Sequence, residues 1–523
     1  MRGIIFLVLT LVAALAVAAG LTWPLFRITW PIVVGLYILA FRDSMQKRHA
    51  VLRNFPIIGH FRYLLEIVRP EINQYFIESN TDGTPFSRAD RSLVYQRAKA
   101  ELDTLPFGTQ RDVYEVGYEW IAHSFGAKHP TLHDPRILIG EENCSQPYES
   151  SLLNISAMSF GSLSSNAVRS LNLGAKAGGF AHNTGEGGIS PHHLMGGDLI
   201  WQIGTGYFGC CDDDGHFNAN KFSENAQRKE VKMIEIKLSQ GAKPGHGGIL
   251  PAAKLTPEIA AIRGVPLGKD VLSPPSHDAF HTVTEMLLFV VRLRELSGGK
   301  PVGLKLCIGS RAEFLSLCRA MKATDSHPDF ITIDGGEGGT GAAPVEFSNS
   351  VGMPLNDAII FVNNALNGFL LRDKIKLIAS GKIVTGFDMI SKLALGADAC
   401  SAARSMMLAL GCIQARRCNS NECPVGVATQ HKGLVAGLDV SDKAPRVQRY
   451  HYETVESLME LLGAAGLDHP TELEPTHLYR RVGPAEVKTY ADVYEYLEPG
   501  VLLNEPVPAS FEKAWFTSLG EQV

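Results

Sequence analysis

The sequence predicts an α/β protein: a (β/α)8 TIM barrel with an N-terminal transmembrane hairpin and a helical C-terminal tail. Three observations predict it. Eight short apolar runs, each ending near Gly, Ser, Asn or Asp, recur at 154–160, 180–185, 231–239, 271–275, 302–307, 330–336, 376–382 and 397–403. Continuous rather than alternating apolar runs, separated by helix-like segments, describe a parallel sheet covered on both faces. Eight such units within about 250 residues match a closed barrel, and the loops after the runs are rich in the Gly, Ser, Asn, Thr and charged residues that a barrel carries on its reactive face. Finally, the first 41 residues differ in composition from everything that follows.

No charged residue occurs from Gly3 to Phe26 or from 28 to 41, and only Arg27 separates the two stretches. A membrane crossing needs about 20 apolar residues, with a range of ~17–25. Residues 4–21 and 24–41 are therefore expected to form two short helices, with Thr22, Trp23 and Pro24 turning between them. Arg2, the first apolar run and Ala16-Val17-Ala18 also fit a secretory signal. The second apolar run, and Arg42, Lys47, Arg48 and Arg53 beyond it, favour an anchor in the inner (cytoplasmic) membrane with the catalytic domain on the cytoplasmic side.

The expected organisation is a hairpin at 1–42, a basic juxtamembrane and helical lead-in at 43–150, the barrel at 151–405, a cysteine loop at 406–430 and a helical tail at 431–523. Within the barrel, 201–217 is expected to be an excursion over the mouth. Composition narrows the function. Of 523 residues, 45% are apolar and 20% charged, and the net charge is −5, which leaves no basic excess for nucleic acid and argues against disorder. Nine cysteines in so long a chain, an odd number, do not make a disulfide scaffold.

The 51 glycines gather in loops. Five fall within 335–341, directly after the sixth run, and include Gly338, Gly339 and Gly341 beside Thr340. Without side chains, backbone N–H groups can approach an anion. Ser380, Gly381, Lys382, Thr385 and Gly386 close the next unit as a second loop of this kind. Paired loops late in a barrel grip phosphate. No G-x-G-x-x-G unit for a dinucleotide is visible, so flavin mononucleotide suits the geometry. Two Gly-rich turns serving only chain reversal are the plainer alternative.

Cys412, Cys418 and Cys423 form C-x5-C-x4-C, followed by Pro424. Thiolates gathered on one loop bind soft metals. Three local ligands fit an iron–sulfur cluster lacking a corner iron, or a four-iron cluster with an outside ligand. Zinc is the alternative, although structural zinc prefers four ligands and C-x2-C spacing. The other six cysteines show no ligand spacing.

S-A-M-S-F-G (156–161), N-T-G-E-G-G (183–188), I-K-L-S-Q-G-A-K-P-G-x-G-G (236–248), S-P-P-S-H-D (273–278), G-G-T-G-A-A-P (338–344) and the cysteine motif running into P-V-G-V-A-T-Q (412–430) occur in this order. Together they resemble the FMN-binding synthase domain of glutamate synthases, over roughly residues 150–430, and in particular the stand-alone FMN-binding glutamate synthase family proteins of bacteria. The resemblance implies a (β/α)8 barrel with FMN at its mouth and a 3Fe–4S cluster held by Cys412, Cys418 and Cys423. It places Ser156, Ala157, Met158, Ser159, Asn183, Thr184 and Lys237 along the flavin. Gly338, Gly339, Thr340, Gly341, Ser380, Gly381, Thr385 and Gly386 are placed near its phosphate. It also gives Glu186, Lys243 and Arg263 to the 2-oxoglutarate pocket, where cations clamp a dicarboxylate and a carboxylate relays a proton.

Three departures qualify the expected chemistry. The family's K-P-G-E-G-G-Q is replaced here by a stretch with His246 and Ile249, which removes a polar substrate contact and a carboxylate. The opening Met-Arg-Gly before the apolar run does not match the N-terminal Cys nucleophile of an amidotransferase half, so ammonia is expected from solution, from another subunit or from an amine substrate. No nicotinamide-binding module is visible, so electrons are exchanged with a ferredoxin, a reductase subunit or a membrane carrier. The expected activity is reduction of an imine, formed from a 2-oxo acid and ammonia or an amine, to an amino acid such as glutamate. Amino-acid oxidation by the reverse reaction and a non-catalytic electron-transfer or scaffold role are the alternatives. A 2-hydroxy-acid oxidase would need a His beside Arg404, which is absent.

Overall fold

In the computed structural model, which describes residues 2–520, the chain divides into two compact units, Met1–Arg88 and Ala89–Val523. The first unit opens with helix Arg2–Thr22, a 3-10 turn at Pro24–Ile28 and helix Thr29–Met45. Arg2–Thr22 and the continuous span Pro24–Met45 are each long and apolar enough to cross a membrane. Pro24 starts the turn where its missing N–H costs nothing. The two helices run antiparallel: Trp30 Nε1 donates to Ala16 O at 3.1 Å, and Ile5, Leu9 and Ala40 pack with Phe6, Leu36 and Tyr37. Gly20 makes the crossing possible, since a Cβ there would lie 2.8 Å from Trp30 Nε1. Helices Ala50–Asn54 and Gly59–Ile72 follow, the latter ending in a π-helical turn at Asn73–Ile77.

The second unit is a closed, all-parallel eight-stranded barrel with its strands in chain order. Its strands are β1 (Leu153–Ile155), β2 (His182–Asn183), β3 (Leu199–Ile203), β4 (Val231–Lys237), β5 (Val302–Leu306), β6 (Phe330–Asp334), β7 (Lys376–Ser380) and β8 (Ala399–Ala402). Closure is made by β8 on β1, with Cys400 opposite Leu153 and Ala402 opposite Ile155. The interior is layered. An apolar layer of Ala181, Ile200, Met233, Phe330, Ile378 and Ala399 lies at the base, plugged by Ile139 and Tyr148 from the antiparallel pair Arg136–Ile139 and Tyr148–Ser151. Above it, Glu235 accepts hydrogen bonds from Asn183 Nδ2 (2.7 Å), Gln202 Nε2 (2.6 Å) and Thr332 Oγ1 (2.7 Å). Each partner satisfies a lone pair that burial would otherwise leave open.

Seven of the eight expected runs are barrel strands; the exception is 271–275. Val271–Leu272 instead pairs antiparallel with Ile249–Leu250 outside the barrel. The third strand is Leu199–Ile203, whose last three residues open the stretch 201–217 expected to be an excursion, and all five of its residues are buried. The reason is local. The β2–β3 crossover holds only a 3-10 turn, Pro191–His193, so the strand–helix rhythm is missing there. Helix Pro257–Arg263, directly before 271–275, supplies a false rhythm.

Helix α1 (Ser165–Gly178) follows β1, α2 (Gly386–Ala394) follows β7, and α3 (Val440–Ala464) lies against both. Gly174 and Gly386 permit this closeness: a Cβ at Gly174 would meet Val447 Cβ at 2.7 Å, and one at Gly386 would meet Leu458 N at 2.6 Å. α3 thus takes the place of the eighth barrel helix, a role not visible when the chain after Pro424 is read as peripheral. The cysteine loop is an insertion between β8 and that helix. Strands Leu478–Gly483 and Glu486–Thr489 interrupt the helical tail; the first pairs antiparallel with both the second and Glu119–Ile121, making a small three-stranded sheet.

Candidate active site at the barrel mouth

The ends of the strands deliver the mouth. β4 ends in Lys237, whose Nζ lies 2.9 Å from Glu186 Oε1 on the loop after β2. Two glycines leave room for that carboxylate: a Cβ at Gly248 would lie 2.5 Å from Glu186 Oε1, and one at Gly204 would lie 2.8 Å from Glu186 Cβ. Gly185, at φ +64°, holds the same loop against β1, where a Cβ would come within 2.6 Å of Ser159 N. Arg263, the last residue of helix Pro257–Arg263, donates through Nη2 to Phe160 O (3.2 Å) and Ser159 Oγ (3.4 Å) and stacks over Phe208. Its buried Nε has no hydrogen-bond partner among the described residues. Lys243 Nζ donates to Ala342 O at 2.9 Å.

The electrostatics follow from this grouping. Burial pushes the Glu186 carboxyl up, but Lys237, Arg263 and Lys243 outweigh burial and hold it below its usual range. Burial, reinforced by the neighbouring Lys237 and opposed by Glu186, brings Lys243 down to about 8. Arg263 falls to about 10 through burial, against the pull of Glu186. A cleft of about 290 Å³ opens here, lined by Glu186, Lys237, Thr205, His246 and Pro274 among others. His246 sets its ring edge against Phe347. Ile249 pairs with Leu272 in the short ladder next to Gly248.

On the other side of the mouth, Ser156 Oγ lies 3.2 Å from Ser380 Oγ and accepts from Lys305 Nζ at 3.4 Å. Lys305 lies 3.8 Å from Asp334, whose Oδ2 accepts the Gly241 N–H at 2.9 Å. Gly241 has no alternative, because a Cβ there would stand 1.7 Å from Gly335 O. In the late glycine loop, Thr340 Oγ1 accepts from Gln240 Nε2 at 3.2 Å, tying Gly338, Gly339 and Gly341 to the loop after β4. Arg404 reaches beneath Gly339 and donates to Glu337 O at 2.7 Å.

The expected residues therefore divide. Ser159, Glu186, Lys237, Lys243 and Arg263 are brought together, with the Met158 backbone against Gly185, whereas Ser156 stands with Ser380 and Lys305 on the other side of the mouth. Asn183 is drawn into the Glu235 layer, and Thr184 gives its hydroxyl to Gly185 O. Thr385 caps α2 in a reciprocal bond pair with Asp388, and Gly386 serves the contact with α3. Lys305, Asp334 and Arg404 were not in the expected set. A lone Lys inside the apolar run Val302–Leu306 is the signal that could have found the first of them. His277, whose Nε2 lies 2.9 Å from Lys237 O and Nδ1 2.9 Å from Tyr207 OH, braces the end of β4.

The cysteine loop borders the same mouth. Gln430 Nε2 donates to Gly161 O and Leu163 O, and Ser164 N to Val427 O. Burial raises the Cys412 thiol to about 12; an N–H from Gln414 lowers it, and nearby Cys418 and Cys423 raise it further. Gln414, Arg416 and Asn421 all have left-handed backbone, so the loop is held in a tight, specific path. Among the described residues, no three His, Cys, Asp or Glu side chains converge as a single metal ion requires.

Comparison with known proteins agrees with this architecture. Residues 124–468 match the conserved region in glutamate synthase. The glutamate synthase large subunit-like protein YerD of Bacillus subtilis is 38% identical over 492 residues, covering 86% of this chain and 93% of YerD. An archaeal glutamate synthase [NADPH] of Methanocaldococcus jannaschii is 37% identical over 316 residues, 60% of this chain. The match spans 59% of that relative and only 18% of the large chain of B. subtilis glutamate synthase [NADPH]. On the extent of the matched region and the identity to YerD, the chain belongs to the glutamate synthase family of oxidoreductases.

Proposed function

We propose that this protein is a membrane-anchored FMN and iron–sulfur oxidoreductase that reduces an imine, formed from a 2-oxo acid and ammonia or an amine, to an amino acid. The observation that carries this reading is the charge of the pocket. Lys237, Lys243 and Arg263 surround one carboxylate, Glu186, and leave two formal positive charges unmatched. Such a site favours a dianion, and a 2-oxo dicarboxylate such as 2-oxoglutarate has that charge.

The donor set suits FMN. Lys305 and Ser156 stand at the mouth, Arg404 supports the Gly338–Gly339 turn, and the unpartnered Nε of Arg263 calls for an acceptor from a ligand. When bound, FMN supplies a hydride to the imine carbon. The chain supplies the rest: Arg263 and Lys243 hold carboxylates, and Glu186, kept ionised by its cations, accepts the proton that the ammonia or amine nitrogen loses as it adds to the 2-oxo carbon. Cys412, Cys418 and Cys423 would hold a 3Fe–4S cluster, whose several irons keep thiolates further apart than one zinc ion does. Such a cluster would supply one-electron chemistry, its electrons exchanged with a protein or membrane carrier. The apolar hairpin supports anchoring, with the basic residues after Phe41 on the cytoplasmic side.

The test is anaerobic purification from detergent-solubilised membranes, with visible spectra and addition of 2-oxo acids plus ammonia or amines to the reduced protein. Flavin and iron absorption, followed by flavin reoxidation, is the expected result. A colourless protein, or one inert to every 2-oxo acid and amine pair, overturns the reading.

A pH effect follows from Lys243. Its pKa in the folded protein lies at about 8, below the 10.5 of the free side chain, so the clamp loses its charge as pH rises through 8. KM for a dicarboxylate should rise above pH 8, and Lys243→Arg should remove that rise. Stability moves the other way. Between about 8 and 10.5 the unfolded chain binds the proton that the folded one releases, so this group makes the fold more stable as pH increases.

A further inference from the structure

Helix Gly59–Ile72 and the π-helical turn Asn73–Ile77 carry an apolar stripe that their own unit leaves open. Phe61, Leu64, Leu65, Ile72 and Phe76 are all exposed, Phe61 at 64% and Phe76 at 85%. They stand at i, i+3, i+4, i+11 and i+15, one face of a helix. Arg62 and Arg69 run along one edge of that stripe.

The position of this helix is set by the hairpin. Asp43, buried in the last turn of helix Thr29–Met45, accepts the backbone N–H of Ile57 at 2.9 Å and pairs with His60 Nε2 at 2.9 Å. Arg2 Nη2, at the start of the other apolar helix, donates to Asn54 Oδ1 at 3.2 Å. A Cβ at Gly59 would lie 2.9 Å from Leu52 Cδ2, so the short helix Ala50–Asn54 seats tightly on the start of the next. These contacts fix the beginning of the stripe at the open end of the hairpin, where Arg42, Lys47, Arg48 and Arg53 are also exposed.

We propose that helix Gly59–Ile72 lies in the plane of an anionic bilayer surface, with Phe61, Leu65 and Phe76 among the acyl chains and Arg62 and Arg69 at the phosphate headgroups. Fourteen residues give it a length of about 21 Å. An apolar stripe with basic residues at its edge is the pattern of an interfacial helix. Arginine stems can lie along the apolar layer while their heads reach phosphate. A lipid occupant is favoured by continuity: the clasp at Asp43 sets the helix at the level where the two apolar helices leave the membrane. This proposal rests on the membrane-anchored reading given above.

The test uses the full-length protein reconstituted in vesicles of phosphatidylglycerol and phosphatidylcholine with brominated acyl chains, which quench tryptophan on contact. Leu65→Trp and Glu66→Trp are compared with the parent. The added fluorescence of Leu65→Trp should be quenched several-fold more than that of Glu66→Trp, and replacing Arg62 and Arg69 by Gln should weaken the preference for brominated phosphatidylglycerol. If the native hairpin signal from Trp23 and Trp30 is quenched while neither new tryptophan is, the helix faces protein or water, and the proposal fails with the anchor intact. If the hairpin tryptophans are not quenched either, the anchor itself is refuted and the proposal falls with it.

Discussion

Replacing Glu186 by Gln should slow reoxidation of the reduced protein by a 2-oxo acid and ammonia by about 10²–10⁴-fold, the usual contribution of a positioned proton-transfer group. The side chain keeps its shape, so the cleft stays formed. What changes is charge. Lys237 loses the carboxylate 2.9 Å away, and three cations then face the pocket without an internal counter-charge. A dicarboxylate should bind at least as well as before, so kcat falls while KM holds or drops. This split separates a proton-moving Glu186 from one that only shapes the site, because a shaping residue would raise KM. Stopped-flow absorbance at the flavin band measures it. Unchanged kcat would remove Glu186 from the chemistry.

Cys418→Ala should abolish bound iron and its visible and paramagnetic signals while most of the FMN stays in place. Cys412, Cys418 and Cys423 sit on one loop inserted after β8, and the groups assigned to FMN sit on other loops. Losing one of three ligands should therefore empty the metal centre without collapsing the barrel. Iron analysis and the flavin-to-protein ratio on the same sample check both halves. An unaltered iron content would refute the ligand assignment, and loss of flavin with iron would show that the cysteine loop also supports the mouth.

The barrel was legible because its strands are buried on both faces and so read as short continuous apolar runs. The reading failed where the chain economises. β3 follows β2 without a helix between them, while 271–275 follows a helix without joining the sheet. Residues on loops were legible as a set: Glu186, Lys243 and Arg263 do meet Lys237 and Ser159. Their distances apart in the chain give no sign of that convergence; only the ordered motifs do. Asp334 and Arg404 stayed hidden because each is a single charged residue at an element boundary, identical in sequence to any solvated residue there; Lys305 alone left a signal, as a lone Lys inside an apolar run. The glycines divide in a way that composition does not reveal. Gly339 and Gly381 serve loops at the mouth, whereas Gly174 and Gly386 exist to let α3 approach.

That α3 completes the barrel has a bearing on biosynthesis. β1 pairs with β2 early but finds its second partner only when β8 has been made, and the seam between β1 and β8 stays bare until Ala464 has emerged. The apolar hairpin, finished at Met45, leaves the ribosome about 420 residues earlier. At ~5–20 residues per second this is an interval of about 20–80 s. During it the nascent chain carries an exposed apolar hairpin and an open sheet, so on the membrane-anchored reading proposed above the hairpin would enter the bilayer before the enzyme body can close.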